Sequence, residues 1–181
     1  GSPIGGRSQL RQRTIGMATT QSGKLVRTFS KASANDMAGK QGWYADLLTN
    51  NVAEGERMIG TQTFLQAIKP VLMASSRIPE GDPCTPGGRG YLNDIDPFTG
   101  ANLDFIFFDV NDDGVFNTAD QRSGDSIASI DLRVGMPTDP MCIGNQCFVS
   151  GSTGNLGRVR SNLGSTFKDR VSWREIAIDG C

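Results

Sequence analysis

The sequence predicts an all-β chain of antiparallel sheets, and three observations carry that prediction. Apolar, β-branched and aromatic residues alternate with polar ones over short runs, which is the pattern of half-buried strands. Turn-forming stretches separate these runs, and 23 glycines among 181 residues supply the positive φ that such turns need. No long run carries the 3.6-residue apolar period of an amphipathic helix.

The elements follow in order. LRQRTIGMAT (10–19) and KLVRTFSK (24–31) are predicted strands joined by the turn signal QSGK. GWYADL (42–47), ERMIGTQTFLQ (56–66) and PVLMASSRI (70–78) come next, each rich in aromatic or branched residues. PEGDPCTPGGRG is too dense in proline and glycine for a strand and reads as a loop before GYLNDID (90–96). The turn DPFTGA leads to FIFFD (105–109), and SIDLRV (129–134), QCFVSG (146–151), GRVRSN (157–162) and RVSWREI (170–176) complete the set. The strand–TG-turn–strand unit GYLNDIDPFTGANLDF suits a β-propeller blade. With no repeat of fixed period, a sandwich remains open.

The length fits one β domain over 3–181, and the opening Gly-Ser reads as a cloning scar from a larger parent. No stretch has the apolar length of a membrane-spanning helix. Formal net charge is −1, but residues 70–150 hold four Lys/Arg against twelve Asp/Glu. Nucleic-acid binding calls for a concentrated basic face. The best candidate, RSQLRQR (7–13), has three arginines and reads as a solvated strand face.

The four cysteines are Cys84, Cys142, Cys147 and Cys181. MCIGNQCFV reads as a tight hairpin turning at Gly-Asn, which sets Cys142 opposite Cys147 as a disulfide and leaves Cys84 for Cys181. A four-cysteine zinc site and four free thiols are the alternatives, the first weakened by the lack of a C-x-x-C pair.

The segment FFDVNDDGVFNTAD (107–120) crowds four aspartates and two asparagines into fourteen positions. It matches the twelve-residue calcium loop: Asp109 at position 1, Asn111 at 3, Asp113 at 5, the bend glycine Gly114 at 6, the Val115 carbonyl at 7, Asn117 at 9 and Asp120 at 12. Calcium takes six to eight hard oxygens, and this spacing wraps them around one point. Position 12 carries Asp instead of the longer Glu, and only Asp109, Asp113 and Asp120 bring charge to the ion, with Asp112 turned away. Weak binding is therefore expected, about 10⁻⁵ to 10⁻³ M. A strand, FIFFD, precedes the loop where an EF-hand has a helix.

There is no histidine, which removes the commonest general base and any Ser-His-Asp or Cys-His arrangement within the chain. No phosphate loop, dinucleotide fingerprint or nucleophile elbow occurs. The chain therefore reads as non-enzymatic. Trp43 and Trp173 read as core residues, and QRSGDS (121–126), with Ser123 inserted into an otherwise integrin-type tripeptide, reads as a turn.

Taken together, GKQGWYADLLTNNVAEGERMIG, GDPCTPGGRGYLNDIDPFTGANLD, FDVNDDGVFNTAD and DRVSWREI resemble, in that order, the C-terminal region of the PilY family of type IV pilus tip-associated adhesins (PilC in neisseriae), over roughly residues 7 to 176. The resemblance implies the last blades of a modified β-propeller with an EF-hand-like calcium loop. It also implies export to the pilus tip or cell surface, contacts with minor pilins and with a host or surface receptor, and a role in pilus assembly, retraction, twitching motility and adhesion. The loop ligands carry over to Asp109, Asn111, Asp113 and Asn117, with Asp120 added from spacing. A calcium-stabilised carbohydrate-binding or hydrolytic β-propeller is the alternative. A dockerin-type module would need a second calcium loop.

Overall fold

The structure is a computed structural model that describes residues 3–48, 50–80 and 87–164. Within them run fourteen short strands: β1 (Arg11–Arg13), β2 (Thr19–Gln21), β3 (Lys24–Arg27), β4 (Trp43–Ala45), β5 (Thr63–Gln66), β6 (Pro70–Ile78), β7 (Arg89–Ile95), β8 (Phe108–Asp109), β9 (Gln121–Arg122), β10 (Asp125–Ser126), β11 (Ser129–Ile130), β12 (Met141–Ile143), β13 (Gln146–Ser150) and β14 (Leu156–Ser161). Two 3-10 turns, Arg7–Gln9 and Thr118–Asp120, are the only helical elements among the described residues. None is long or apolar enough to cross a membrane.

Ten of the strands build two sheets, antiparallel throughout. One has six strands in the order β2-β3-β11-β7-β6-β5, the other four in the order β12-β13-β14-β8. Between them lies the main core. Val26, Val71, Met73, Leu92 and Ile130 come from the larger sheet, and Phe108, Cys147, Val149 and Val159 from the smaller. Period-2 alternation explains the smaller sheet directly: Cys147 and Val149 are buried while Gln146 and Phe148 are less so, and Gly157 and Val159 are buried while Leu156 and Arg158 face out.

The two long strands β6 and β7 are covered on both faces. Leu92 faces the main core. Tyr91, Asn93 and Ile95 face the opposite way, toward Glu56, Trp43 and Ala45 from the N-terminal third. That second cover layer includes a parallel pair, β1 with β4 (Arg11 beside Trp43), the one exception to antiparallel pairing among the described residues.

Several predicted strands are shorter than their sequence pattern. FIFFD contributes only Phe108–Asp109, SIDLRV only Ser129–Ile130, GWYADL only Trp43–Ala45, and ERMIGTQTFLQ only Thr63–Gln66. LRQRTIGMAT splits into β1 and β2 around an isolated bridge from Ile15 to Phe29. In each case the alternation marks burial, while ladder bonds form only where a partner strand lies alongside.

RSQLRQR departs from its reading as a solvated face. Arg13 is 2% exposed, because Asp36 meets its guanidinium through bonds of 2.7 and 3.1 Å and the Thr99 carbonyl takes its Nε at 2.7 Å. That pairing holds the Asp36 carboxyl down to about 2, first through the Arg13 hydrogen bond and then through the Ser33 N–H. Trp43 is half-buried against the second core cluster. Gly1, Ser2, Cys84, Cys181 and the RVSWREI segment with Trp173 lie outside the described residues.

Candidate cation-binding loop

Phe107, Phe108 and Val110 are all fully buried, so the chain enters the acidic segment from the middle of the core. Phe107 sits edge-on to both Phe105 and Phe108, with centroids 6.3 and 5.2 Å away, which fixes the direction of entry. The strand β8 pairs with β14, setting Asp109 beside Arg160 and Phe108 beside Ser161. From there the segment leaves the sheet and closes at the 3-10 turn Thr118–Asp120.

The loop's oxygens curl inward onto its own N–H groups. Asp109 Oδ2 accepts from Gly114 N–H at 2.8 Å, Asn111 Oδ1 from Asp113 N–H at 3.2 Å, and Asp113 Oδ1 from Val115 N–H at 2.7 Å. Asn117 Oδ1 accepts from Ala119 N–H at 2.7 Å and caps the closing turn. The bend itself needs Gly114, whose φ of +85° is disfavoured for a side chain. These bonds favour the ionised acid, and the Asp113 carboxyl lies below its ordinary value, mainly through the Val115 N–H and then the Asn111 amide.

Asp120 is buried and closes the ring. Its Oδ1 accepts from Val110 N–H at 2.7 Å and its Oδ2 from Asn117 N–H at 3.2 Å, so one carboxylate ties the two ends of the segment together. Each oxygen keeps a second lone pair.

Asp112 turns outward, where Lys24 Nζ meets its Oδ2 at 2.7 Å and the Val110 carbonyl at 2.8 Å. Gln21 Nε2 donates to the Ala119 carbonyl at 2.6 Å. Gln21 and Lys24 flank the hairpin turn of the larger sheet, whereas Asp109 belongs to the smaller. Both sheets thus grip the one loop. A cavity of about 360 Å³ beside it is lined by Asp109, Asp112, Asp113, Gly114, Gln146, Arg158 and Arg160.

The donor set fits a hard cation on one observation in particular. Asp109 is 1% exposed, and its Oδ1 has no hydrogen-bond partner among the described residues. A buried carboxylate oxygen left so carries a large desolvation cost unless a cation or a bound proton neutralises it. Among the described residues no three His, Cys, Asp or Glu side chains converge as a chelating cluster by themselves. Most remaining donors at this loop are the amides of Asn111 and Asn117 and the Val115 carbonyl, the hard oxygens that calcium accepts. Sequence spacing singled out Asp109, Asn111, Asp113, Val115, Asn117 and Asp120. It missed Gln21 and Lys24, and also Arg158 and Arg160, whose only signal is an arginine on alternate positions of a strand.

Cys142 and Cys147 face each other in the β12–β13 hairpin and are joined as a disulfide. That bridge removes two thiolates from any four-cysteine zinc site. A second cleft, of about 380 Å³, is lined by Asp96, Asn102, Asp104, Phe105, Gln121 and Ser126. Asp104 there is exposed and ion-paired with Lys69, and Asp96 Oδ1 is committed to the N–H groups of Phe98 and Thr99.

The fold and loop together define a class: a two-sheet antiparallel β domain in which an acidic loop, entered from a core strand, is held by both sheets. No protein-family model matches the chain. It is 32% identical over 179 residues to the type IV pilus biogenesis factor PilY1 homolog of Xylella fastidiosa, covering 97% of this chain and 14% of that protein. It is 29% identical over 185 residues to the type IV pilus biogenesis factor PilY1 of Pseudomonas aeruginosa, covering 94% of this chain and 15% of that protein. The crystal structure of the Pseudomonas aeruginosa PilY1 C-terminal domain superposes with a TM-score of 0.66 at 20% identity, over 90% of this chain and 34% of that one. The chain belongs to the PilY family, with the fold of the PilY1 C-terminal domain. It spans about one-seventh of the length of these curated relatives.

Proposed function

We propose that this domain binds calcium through the 109–120 loop and serves a type IV pilus biogenesis factor as a non-enzymatic protein-contact module. The side chains of Asp109, Asn111, Asp113 and Asn117 and the Val115 carbonyl hold the ion, while Asp120 closes the loop and offers its remaining lone pairs. The observation that carries this reading is the buried, unpartnered Oδ1 of Asp109. Bound calcium supplies charge neutralisation and nothing catalytic.

The grip of both sheets on the loop gives occupancy a mechanical consequence. Gln21 and Lys24 hold it from the larger sheet and β8 from the smaller, so ion binding stiffens the junction and the surface around it. Such a surface suits contacts with minor pilins at the pilus tip and with a host or surface receptor, outside the cell after export, in support of assembly, retraction, twitching motility and adhesion. The Cys142–Cys147 bridge agrees with an oxidising location.

Isothermal calorimetry with calcium on the wild type and on Asp113→Ala tests the reading. Micromolar-to-millimolar binding is expected in the wild type and none in the variant. Equal heats from both proteins refute the site. Saturable binding of sugars at the 380 Å³ cleft, unaffected by Asp113→Ala, would favour the carbohydrate-binding alternative instead.

A further inference from the structure

Two cationic side chains of the chain bond the acidic loop, Lys24 and Arg160. Lys24 is spent on the outward Asp112 and on the Val110 carbonyl. On the cavity side stands Arg160, the cross-strand neighbour of Asp109 on β14. Its Nη1 donates to the Gly114 carbonyl at 3.0 Å, at the bend of the loop. A Cβ placed on Gly114 would lie 2.9 Å from the same nitrogen, so the guanidinium is packed against the bend itself. Arg158, two residues earlier on the same face, lines the same cavity with Asp109 and Asp113.

Independently of these arginines, Asp109 Oδ1 is buried and has no partner. Arg160 has passed that oxygen by and bonds a loop carbonyl instead. The position that would neutralise Asp109 is therefore left for something else, while a fixed positive charge remains close by. A cation entering there meets attraction from the acids and repulsion from the guanidinium at once.

We infer that Arg160 is the internal counter-ion of the calcium loop: it supports the loop when no ion is present and opposes the ion when one arrives. This rests on the reading that the loop binds calcium. A loop stabilised by its own arginine keeps its shape on losing the ion, and a cation repelled by that arginine leaves readily. Arg158, more exposed, adds a weaker effect of the same sign.

The test combines calcium calorimetry with thermal unfolding in calcium and in chelator, on the wild type, Arg160→Gln, Arg160→Lys and Arg158→Gln. Removing one positive charge next to a divalent ion is expected to tighten calcium binding about tenfold or more in Arg160→Gln and about threefold in Arg158→Gln. Arg160→Lys keeps the charge and is expected to stay near the wild-type affinity. The rise in Tm on adding calcium is expected to be larger in Arg160→Gln than in the wild type, because its ion-free form has lost support. Wild-type binding with unchanged or weaker binding in Arg160→Gln overturns the inference and leaves the calcium site standing. So does an equal gain in Arg160→Lys, since charge would not be its cause. If Arg160→Gln does not fold, an unchanged affinity in Arg158→Gln decides against it. Absence of calcium binding in every variant removes the calcium site and this inference together.

Discussion

The guanidinium of Arg27 makes two parallel hydrogen bonds to the carboxylate of Glu56, at 2.7 and 2.8 Å, with both side chains wholly buried. Tyr91 stacks beneath the guanidinium at 3.6 Å, and Asn93 adds a bond at 3.3 Å and is itself held by Ser129 at 2.7 Å. This network joins β3, β7 and β11 of the larger sheet to the segment carrying Glu56. Burial alone would raise the Glu56 carboxyl, yet the bonds from Arg27 outweigh it and hold the group below its ordinary value.

Glu56→Gln is expected to destabilise the domain by about 3–5 kcal/mol, because it removes the negative charge that the buried Arg27 guanidinium meets in two hydrogen bonds. Urea unfolding at neutral pH measures it. A loss under about 1 kcal/mol would show that the pair adds nothing beyond what packing supplies.

Reducing the Cys142–Cys147 bridge, or replacing both residues by serine, removes a constraint on a short hairpin. Loop entropy puts the loss at about 2 kcal/mol. The readout is the denaturation midpoint with and without reductant, and the β12–β13 hairpin is expected to lose amide protection first. An unchanged midpoint would contradict it.

Gly100 lies under the indole of Trp43. A Cβ there would stand 2.1 Å from the ring, and the residue's φ is +69°. The Trp43 Nε1 also donates to the Pro97 carbonyl at 2.9 Å, so the ring clamps the DPFTG turn and has little room to retreat. Gly100→Ala is expected to cost more than about 1 kcal/mol through strain and displaced packing. It is also expected to shift tryptophan emission. Wild-type fluorescence and stability in the variant would refute the clamp.

Asp94 is buried without a hydrogen-bond partner for either oxygen among the described residues, and burial pushes its carboxyl well above the ordinary range. A raised folded value means that the native state holds the proton more tightly than the unfolded chain. Its contribution to stability is then fully present below about pH 4 and is lost as pH rises through the folded value. Asp131, also raised by burial, has the same sign. The depressed Asp36 works oppositely, its contribution falling away as pH drops from about 4 through its folded value of about 2. Unfolding between pH 5 and 8 isolates the raised acids. Asp94→Asn is expected to flatten the decline seen in the wild type and to gain stability at pH 8, each kcal/mol appearing as ~2–4 °C in Tm. Parallel wild-type and variant curves would rule this out.

Much of the fold was legible along the chain because alternation and turn chemistry are local. The β12–β13 hairpin with its Cys142–Cys147 pairing, the DPFTG turn and the long strands β6 and β7 all follow from adjacent residues. So does the loop, since positions 109, 111, 113, 114, 115, 117 and 120 need only each other to be recognised. RSQLRQR misled for the converse reason: nothing near Arg13 in sequence announces Asp36 or the Thr99 carbonyl, and those partners are what allow a charge to be buried.

The sequence by itself determined an all-β chain, the hairpin that carries the disulfide, and a run of acid and amide side chains whose spacing matches that of a calcium loop. Only tertiary structure decided that β14 runs beside β8, which brings Arg160 to Asp109 across 51 positions of chain. It also decided that Lys24 reaches Asp112 and that both sheets hold the same loop. Register between distant strands is set by how two buried faces fit, and no short window of sequence contains both faces.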